Sequence, residues 1–201
     1  MTSLSCHDEY GFVRDSDFDY PVQEDFLSSY LAVLARRAAR WDQLLGKDRA
    51  FSALHKGAKL KRFVRKGVPS AHRKGVWLEV SGAAALRRAR PQLYQEMLAA
   101  APPSEVVVGQ IVTDLPRTFP NNSNFDSTKS DNLQGGLYRV LLAFSNNNPA
   151  IGYCQGLNYI AGLLLLVTKE EEAAFWLLKV LLEHQLPDYY TPSMPGLLTD
   201  L

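Results

Sequence analysis

No stretch of this chain alternates apolar and polar residues over a useful length, which leaves no room for a half-buried β-sheet. Apolar residues instead recur at helical spacing and are cut by proline and glycine. The pattern predicts an all-α fold with no internal repeat. Residues 1–25 are polar, acidic and aromatic, with Pro21 as a breaker, and read as a flexible lead-in. Residues 26–60 read as an N-terminal helical extension, with Leu27, Leu31 and Leu34 on one face and Trp41, Leu44 and Leu45 extending it. Arg36, Arg37 and Arg40 form a basic stripe beside that face, read as solvated. Residues 61–201 read as the main domain.

Within that domain, Gly67-Val68-Pro69 punctuates the chain and Ser70 is a candidate N-cap for a helix over 71–81. Pro91 opens the next helix, to about 100. Pro102-Pro103-Ser104 breaks and caps, and the helix from Glu105 should end near Leu115, because Pro116 disfavours helical backbone before it. Residues 118–130 are turn-rich. The following helix carries Leu133, Leu137, Val140, Leu141 and Phe144, and Asn146-Asn147-Asn148-Pro149 closes it. The next one should hold Gln155. Thr168-Lys169-Glu170-Glu171 reads as a capping box for a last helix, which buries Phe175, Trp176, Leu178 and Leu182.

The chain has 201 residues, 46% hydrophobic and 21% charged, enough for one domain with a sizeable core. A net charge of +1 gives no global field that would suggest nucleic acid or an anionic membrane as partner. Two cysteines supply neither a disulfide framework nor a metal site and suit a reducing, cytoplasmic setting. The N-terminus lacks the basic and apolar regions of a signal peptide, and Thr2 excludes myristoylation. The apolar run over 157–167 is shorter than the ~20 residues a membrane span needs.

Two polar side chains stand out in apolar surroundings: Arg117, just past a helix end, and Gln155. Arginine is a permanent cation with a planar fork of donors, and glutamine donates and accepts at once. Hydrolysis of GTP needs γ-phosphate charge stabilised and a water held in line, and an inserted arginine supplies ~10³–10⁵ in rate. Asp114 lies one turn before Arg117 and could hold the guanidinium extended. Gly152 and Gly156 flank Gln155 and would let a partner's backbone approach.

Plainer readings exist for each residue. Arg117 could answer the helix dipole, Gln155 could bridge two helices, and Tyr153 and Trp77 could be core aromatics. Arg73 and Trp77, four apart, could meet through stem packing or a cation–π contact.

Three motifs occur in order: Arg65-x-Gly67-Val68-Pro69-x-x-x-Arg73-x-x-x-Trp77, Ile111-x-x-Asp114-x-x-Arg117 and Tyr153-x-Gln155. Together they resemble the signature of the TBC (Tre-2/Bub2/Cdc16) domain of Rab GTPase-activating proteins, over about 61–190. The resemblance implies an orthogonally packed, all-helical TBC fold. It implies that Arg117 is an arginine finger and Gln155 a glutamine finger that replaces the Rab's own. Asp114 and Tyr153 would support them, and Arg65, Arg73 and Trp77 would brace the site. No cofactor of its own is implied, since GTP and magnesium are carried by the Rab, and any membrane recruitment would be peripheral, through that Rab. Family domains continue beyond Tyr-x-Gln with a second helical part, whereas this chain stops at Leu201. Part of the Rab-binding surface would then lie outside it, which makes a non-catalytic Rab- or protein-binding module the alternative. A small-molecule hydrolase is disfavoured by the lack of a glycine-rich phosphate loop or a G-x-S-x-G motif.

Overall fold

A computed structural model describes residues 5–46, 51, 54, 57–186 and 189–190. Among these the secondary structure is helical apart from two isolated β-bridges, His7 with Val13 and Phe12 with Asn122. The helices are α1 (Tyr20–Leu45), α2 (Ala58–Arg65), α3 (Ser70–Ser81), α4 (Ala83–Ala89), α5 (Leu93–Ala99), α6 (Glu105–Asp114), α7 (Gln134–Asn147), α8 (Leu157–Thr168) and α9 (Glu171–Val180). A π-helical turn, Leu181–Gln185, extends α9. No helix of the described residues is long and apolar enough to cross a membrane.

Helix α7 is the centre of the main core. Leu137, Val140, Ala143 and Phe144 are fully enclosed, and α5, α6, α8 and α9 pack around them. Phe175, Trp176 and Leu178 bring α9 across α3, α4, α7 and α8, and Leu182 of the π turn stays in the same core. Each such side chain stabilises the fold by about 1.5–3 kcal/mol through burial. A smaller cluster of Trp41, Leu45, Leu60, Val68 and Val76 joins α1, α2 and α3. Buried His72 of α3 reaches Asp42 of α1 through Nε2 at 3.0 Å.

Several expectations fail for local reasons. Helix α1 begins at Tyr20, because Asp19 accepts from the Val22 amide and Pro21 lies in the first turn, where its missing N–H costs nothing. Its expected apolar face is largely unburied: Leu31 and Leu34 are exposed, and only Trp41 and Leu45 are enclosed. The expected continuation over 47–56 lies mostly outside the described residues. The lead-in folds back onto the loop after α6, where Tyr10 O accepts from Asn122 Nδ2 at 3.0 Å and Asn124 Nδ2 at 2.8 Å.

Ser70 is the first residue of α3 and makes no side-chain cap; Pro69 holds the cap position. Ser104 does cap α6, accepting from the Val107 amide, and α6 ends at Asp114 as Pro116 requires. The capping box at Thr168 does not form. Thr168 ends α8 and bonds the backbone of Glu170, while Glu171 turns its carboxylate to Tyr94 and Arg139.

Candidate functional site

Two loops meet on one face, the turn after α6 and the turn before α8. The first carries Arg117, past the helix end as expected. The second carries Gln155, which the sequence pattern had put inside a helix. The reason is backbone conformation: Gly152 has φ 58° and Gly156 φ 104°, so the chain turns at both and α8 starts only at Leu157. A methyl group at Gly156 would meet nothing within 4 Å, so this glycine serves the turn itself.

Arg117 and Gln155 line one recess of about 400 Å³, with Val106, Gln110, Asp114 and Tyr153 among its walls. Both side chains are exposed, which removes the reading of Gln155 as a buried bridge between helices. The Arg117 side chain is 52% accessible, but it is not free. Its Nη2 pairs with Asp114 Oδ1, and the Asp114 side chain is 3% accessible. The other oxygen, Asp114 Oδ2, accepts a hydrogen bond from the buried Tyr153 hydroxyl. Burial first, and then this carboxylate, push the Tyr153 phenol far above its ordinary value, so it remains a donor. A buried carboxylate with a phenol on one oxygen and a guanidinium on the other is well satisfied, and it aims the cation outward.

A second chain of bonds ties the loops together. Fully buried Thr118 donates through Oγ1 to Asp114 O at 2.7 Å and accepts from Asn158 Nδ2 at 2.7 Å. Asn158 Oδ1 accepts from the Gly156 amide at 3.1 Å. The residue after Arg117 is thus fixed to the residue after Gln155 through one buried amide. Next to Thr118, Phe119 takes a positive φ of 51° and wedges its ring edge-on among Phe12, Phe125 and Tyr159. Gly162 makes room for it, since a methyl there would lie 2.9 Å from Phe119 Cε2.

The remaining motif residues stand elsewhere. Arg65 is exposed at the end of α2. Arg73 donates through Nε to Val68 O at 3.0 Å, and its guanidinium lies over Tyr10, 5.7 Å from the ring centre. Trp77 is partly buried against the main core on α3, which packs on α8. Asn158, Thr118 and Phe119 stand in stretches that resemble the family, but sequence reasoning assigned them no role. The available signal was Asn158 itself, the one side-chain amide in the apolar run 157–167.

The Rab-GTPase-TBC domain model matches residues 70–201. The chain is 46% identical over 193 residues to growth hormone-regulated TBC protein 1 of Xenopus tropicalis and 47% identical over 193 residues to that of Homo sapiens. Each match covers 96% of this chain and 56% of the relative, so the chain spans about half the length of the curated relatives it matches. The solved TBC domain of a Chlamydomonas flagellar RabGAP superposes with a TM-score of 0.78 at 36% identity, over 92% of this chain and 61% of that one. Sequence and fold together place this chain in the Rab-GTPase-TBC domain family.

Proposed function

We propose that the protein is a GTPase activator for a Rab-family small GTPase, presenting Arg117 and Gln155 in trans to the Rab's bound GTP. The observation that carries this reading is the shared recess, with an outward guanidinium held by Asp114 and an exposed amide beside it. On docking, Arg117 exchanges its pairing for the oxygens of the γ-phosphoryl group and offsets charge that develops as the bond to the β-phosphate oxygen breaks. Gln155 accepts from and donates to the attacking water, holding it in line. Water adds to the γ-phosphorus, and GDP and phosphate leave. GTP and magnesium belong to the Rab. Apolar surface for docking is at hand: Val106 borders the recess, and exposed Tyr159 and Leu163 lie four apart on α8, with the Tyr159 hydroxyl on Arg117 O at 3.4 Å. The protein acts, on this reading, at the cytoplasmic face of a membrane in vesicle trafficking.

The test is GTP hydrolysis by a panel of Rabs with the purified protein. Arg117→Lys keeps the charge and loses the planar fork, and should lower stimulated hydrolysis ~10³-fold or more. Gln155→Ala should abolish stimulation yet leave Rab binding in place, and a Rab lacking its own glutamine should still respond to the unaltered protein. Full stimulation by Arg117→Lys would refute the assignment, and silence of every Rab would favour a binding module.

A further inference from the structure

A second, larger recess lies apart from the paired loops, between α1 and α2. It encloses about 1360 Å³, and six cations line it: Arg36, Arg37 and Arg40 from α1, and Lys59, Arg62 and Lys66 from α2 or its end. Among the described residues no carboxylate lines it, and none of the six forms an ion pair with a carboxylate. Arg37 instead donates to the Tyr30 hydroxyl at 3.0 Å. The floor is apolar and aromatic, with Trp41 and Phe63 edge to face at 5.5 Å.

The face of α1 that enters this groove carries Val33, Arg37, Arg40 and Leu44, at helical spacing. The same repeat, followed back toward the N-terminus, reaches Phe26 and then Val22. These are 51% and 64% accessible, and no residue of α1 before Trp41 is buried. One face is therefore cationic at one end and presents the exposed apolar side chains of Val22 and Phe26 at the other, with Asp19 and Asp25 beside them.

Charge selects an anionic occupant for the groove, and the apolar end narrows the choice. A soluble polyanion would use the cations and leave Phe26 and Val22 in water. An acidic protein would need a pocket for each of them. The boundary between headgroups and acyl chains receives such side chains without a specific pocket, while its phosphates meet the arginines and lysines. We propose that the α1–α2 groove, together with the exposed N-terminal half of α1, is a docking surface for a bilayer containing anionic phospholipid. It adds a direct lipid contact to any recruitment through a Rab and does not depend on Arg117 or Gln155.

Each cation near an anionic surface strengthens partitioning about fivefold, so removal of three should weaken it about 100-fold. The experiment is co-sedimentation of the purified protein with vesicles of phosphatidylcholine alone, or with about a third of the lipid replaced by phosphatidylserine to give the surface its charge. The protein is expected to pellet with the second and not the first. The triple variant R36Q/R40Q/R62Q changes only exposed side chains and should bind about 100-fold more weakly, with an unchanged melting curve. Val22→Ser with Phe26→Ser should weaken binding at constant charge, and Arg117→Lys should pellet like the unaltered protein.

The proposal fails if the unaltered protein stays in the supernatant with both vesicles. It fails equally if the triple variant binds undiminished. If the serine pair binds undiminished and soluble inositol hexakisphosphate strips the protein from the vesicles, the groove is a site for a free polyanion and not a bilayer surface.

Discussion

Asp114 and Asn158 divide the work of holding the recess together. Asp114 fixes the direction of Arg117 through one oxygen and is itself fixed by Tyr153 through the other. Asn158 fixes the distance between the loops, since its amide touches Thr118 on one side and Gly156 on the other. Asn158→Ala should therefore lower stimulated hydrolysis about 10–100-fold, the size expected when reacting groups are misplaced by about 1 Å. Rab affinity should change little, because the exposed docking surface of Val106, Tyr159 and Leu163 remains present. Stopped-flow hydrolysis alongside a binding titration checks this; equal losses in both would mean that Asn158 serves the fold and not the spacing. Asp114, Arg117, Tyr153 and Gln155 were named from the sequence through the motif resemblance, since each alone has a plain structural reading, and the structure brings the four to one recess. Asn158 was assigned no role there, because one amide in an apolar helix has no periodic signature, and its role exists only once Thr118 is folded against it.

Helix α9 shows how charge at one helix end can organise several others. Glu170, Glu171 and Glu172 stand at its start, where the helix dipole favours anions. Glu170 pairs with Lys74 of α3 and Arg87 of α4, Glu171 with Arg139 of α7 and Tyr94 of α5, and Glu172 with Arg87. The hydrogen bond from Arg139 holds Glu171 below the usual carboxylate range. Glu170 is also lowered, because Lys74 and Arg87 outweigh the upward push of burial.

A carboxylate whose value is depressed by folding contributes stability above its unfolded value and loses it as pH falls through the folded one. These links should thus be intact from neutral pH down to about 4.3, the ordinary glutamate value, and fail below it. Glu170→Gln with Glu171→Gln should lower the melting temperature at neutral pH and make its decline toward pH 3 shallower than in the unaltered protein. Parallel melting curves for both proteins across that range would rule out these two groups. The sequence pattern read the same stretch as a capping box, since Thr-x-x-Glu spacing is the local signal. The tertiary partners Tyr94 and Arg139, distant in sequence, outcompete it. The misplacement of Gln155 has a comparable origin, because a glycine's positive φ leaves no mark on the apolar period around it.

The molecule as a whole has two unequal hydrophobic centres with α3 between them. Val76 of α3 lies in the small cluster and Leu78 in the large one, so the same helix serves both. Its total charge of +1 likewise hides local inequality, with six cations around the α1–α2 groove that form no ion pair among the described residues, and the acidic start of α9 on the other side. The small cluster depends heavily on Trp41, which is 1% accessible, donates through Nε1 to Gly67 O at 3.1 Å and packs edge-on with Phe63. Replacing such a tryptophan by alanine costs about 3–5 kcal/mol, a large share of what so few buried side chains supply. The loss should fall on α1 and α2, because regions with few buried apolar neighbours open independently of the main core. In Trp41→Ala, amides of α2 and of the last turns of α1 should exchange with deuterium about 100-fold faster or more, the rate equivalent of that cost. Amides of α7 and α9 should keep their protection, since Leu137, Phe144 and Phe175 have no atom in the damaged cluster. Hydrogen exchange read by mass spectrometry distinguishes the cases. If α7 and α9 accelerate by the same factor as α2, the two centres unfold as one cooperative unit, and the α1–α2 pair is an integral part of the domain and not a separately opening element beside it.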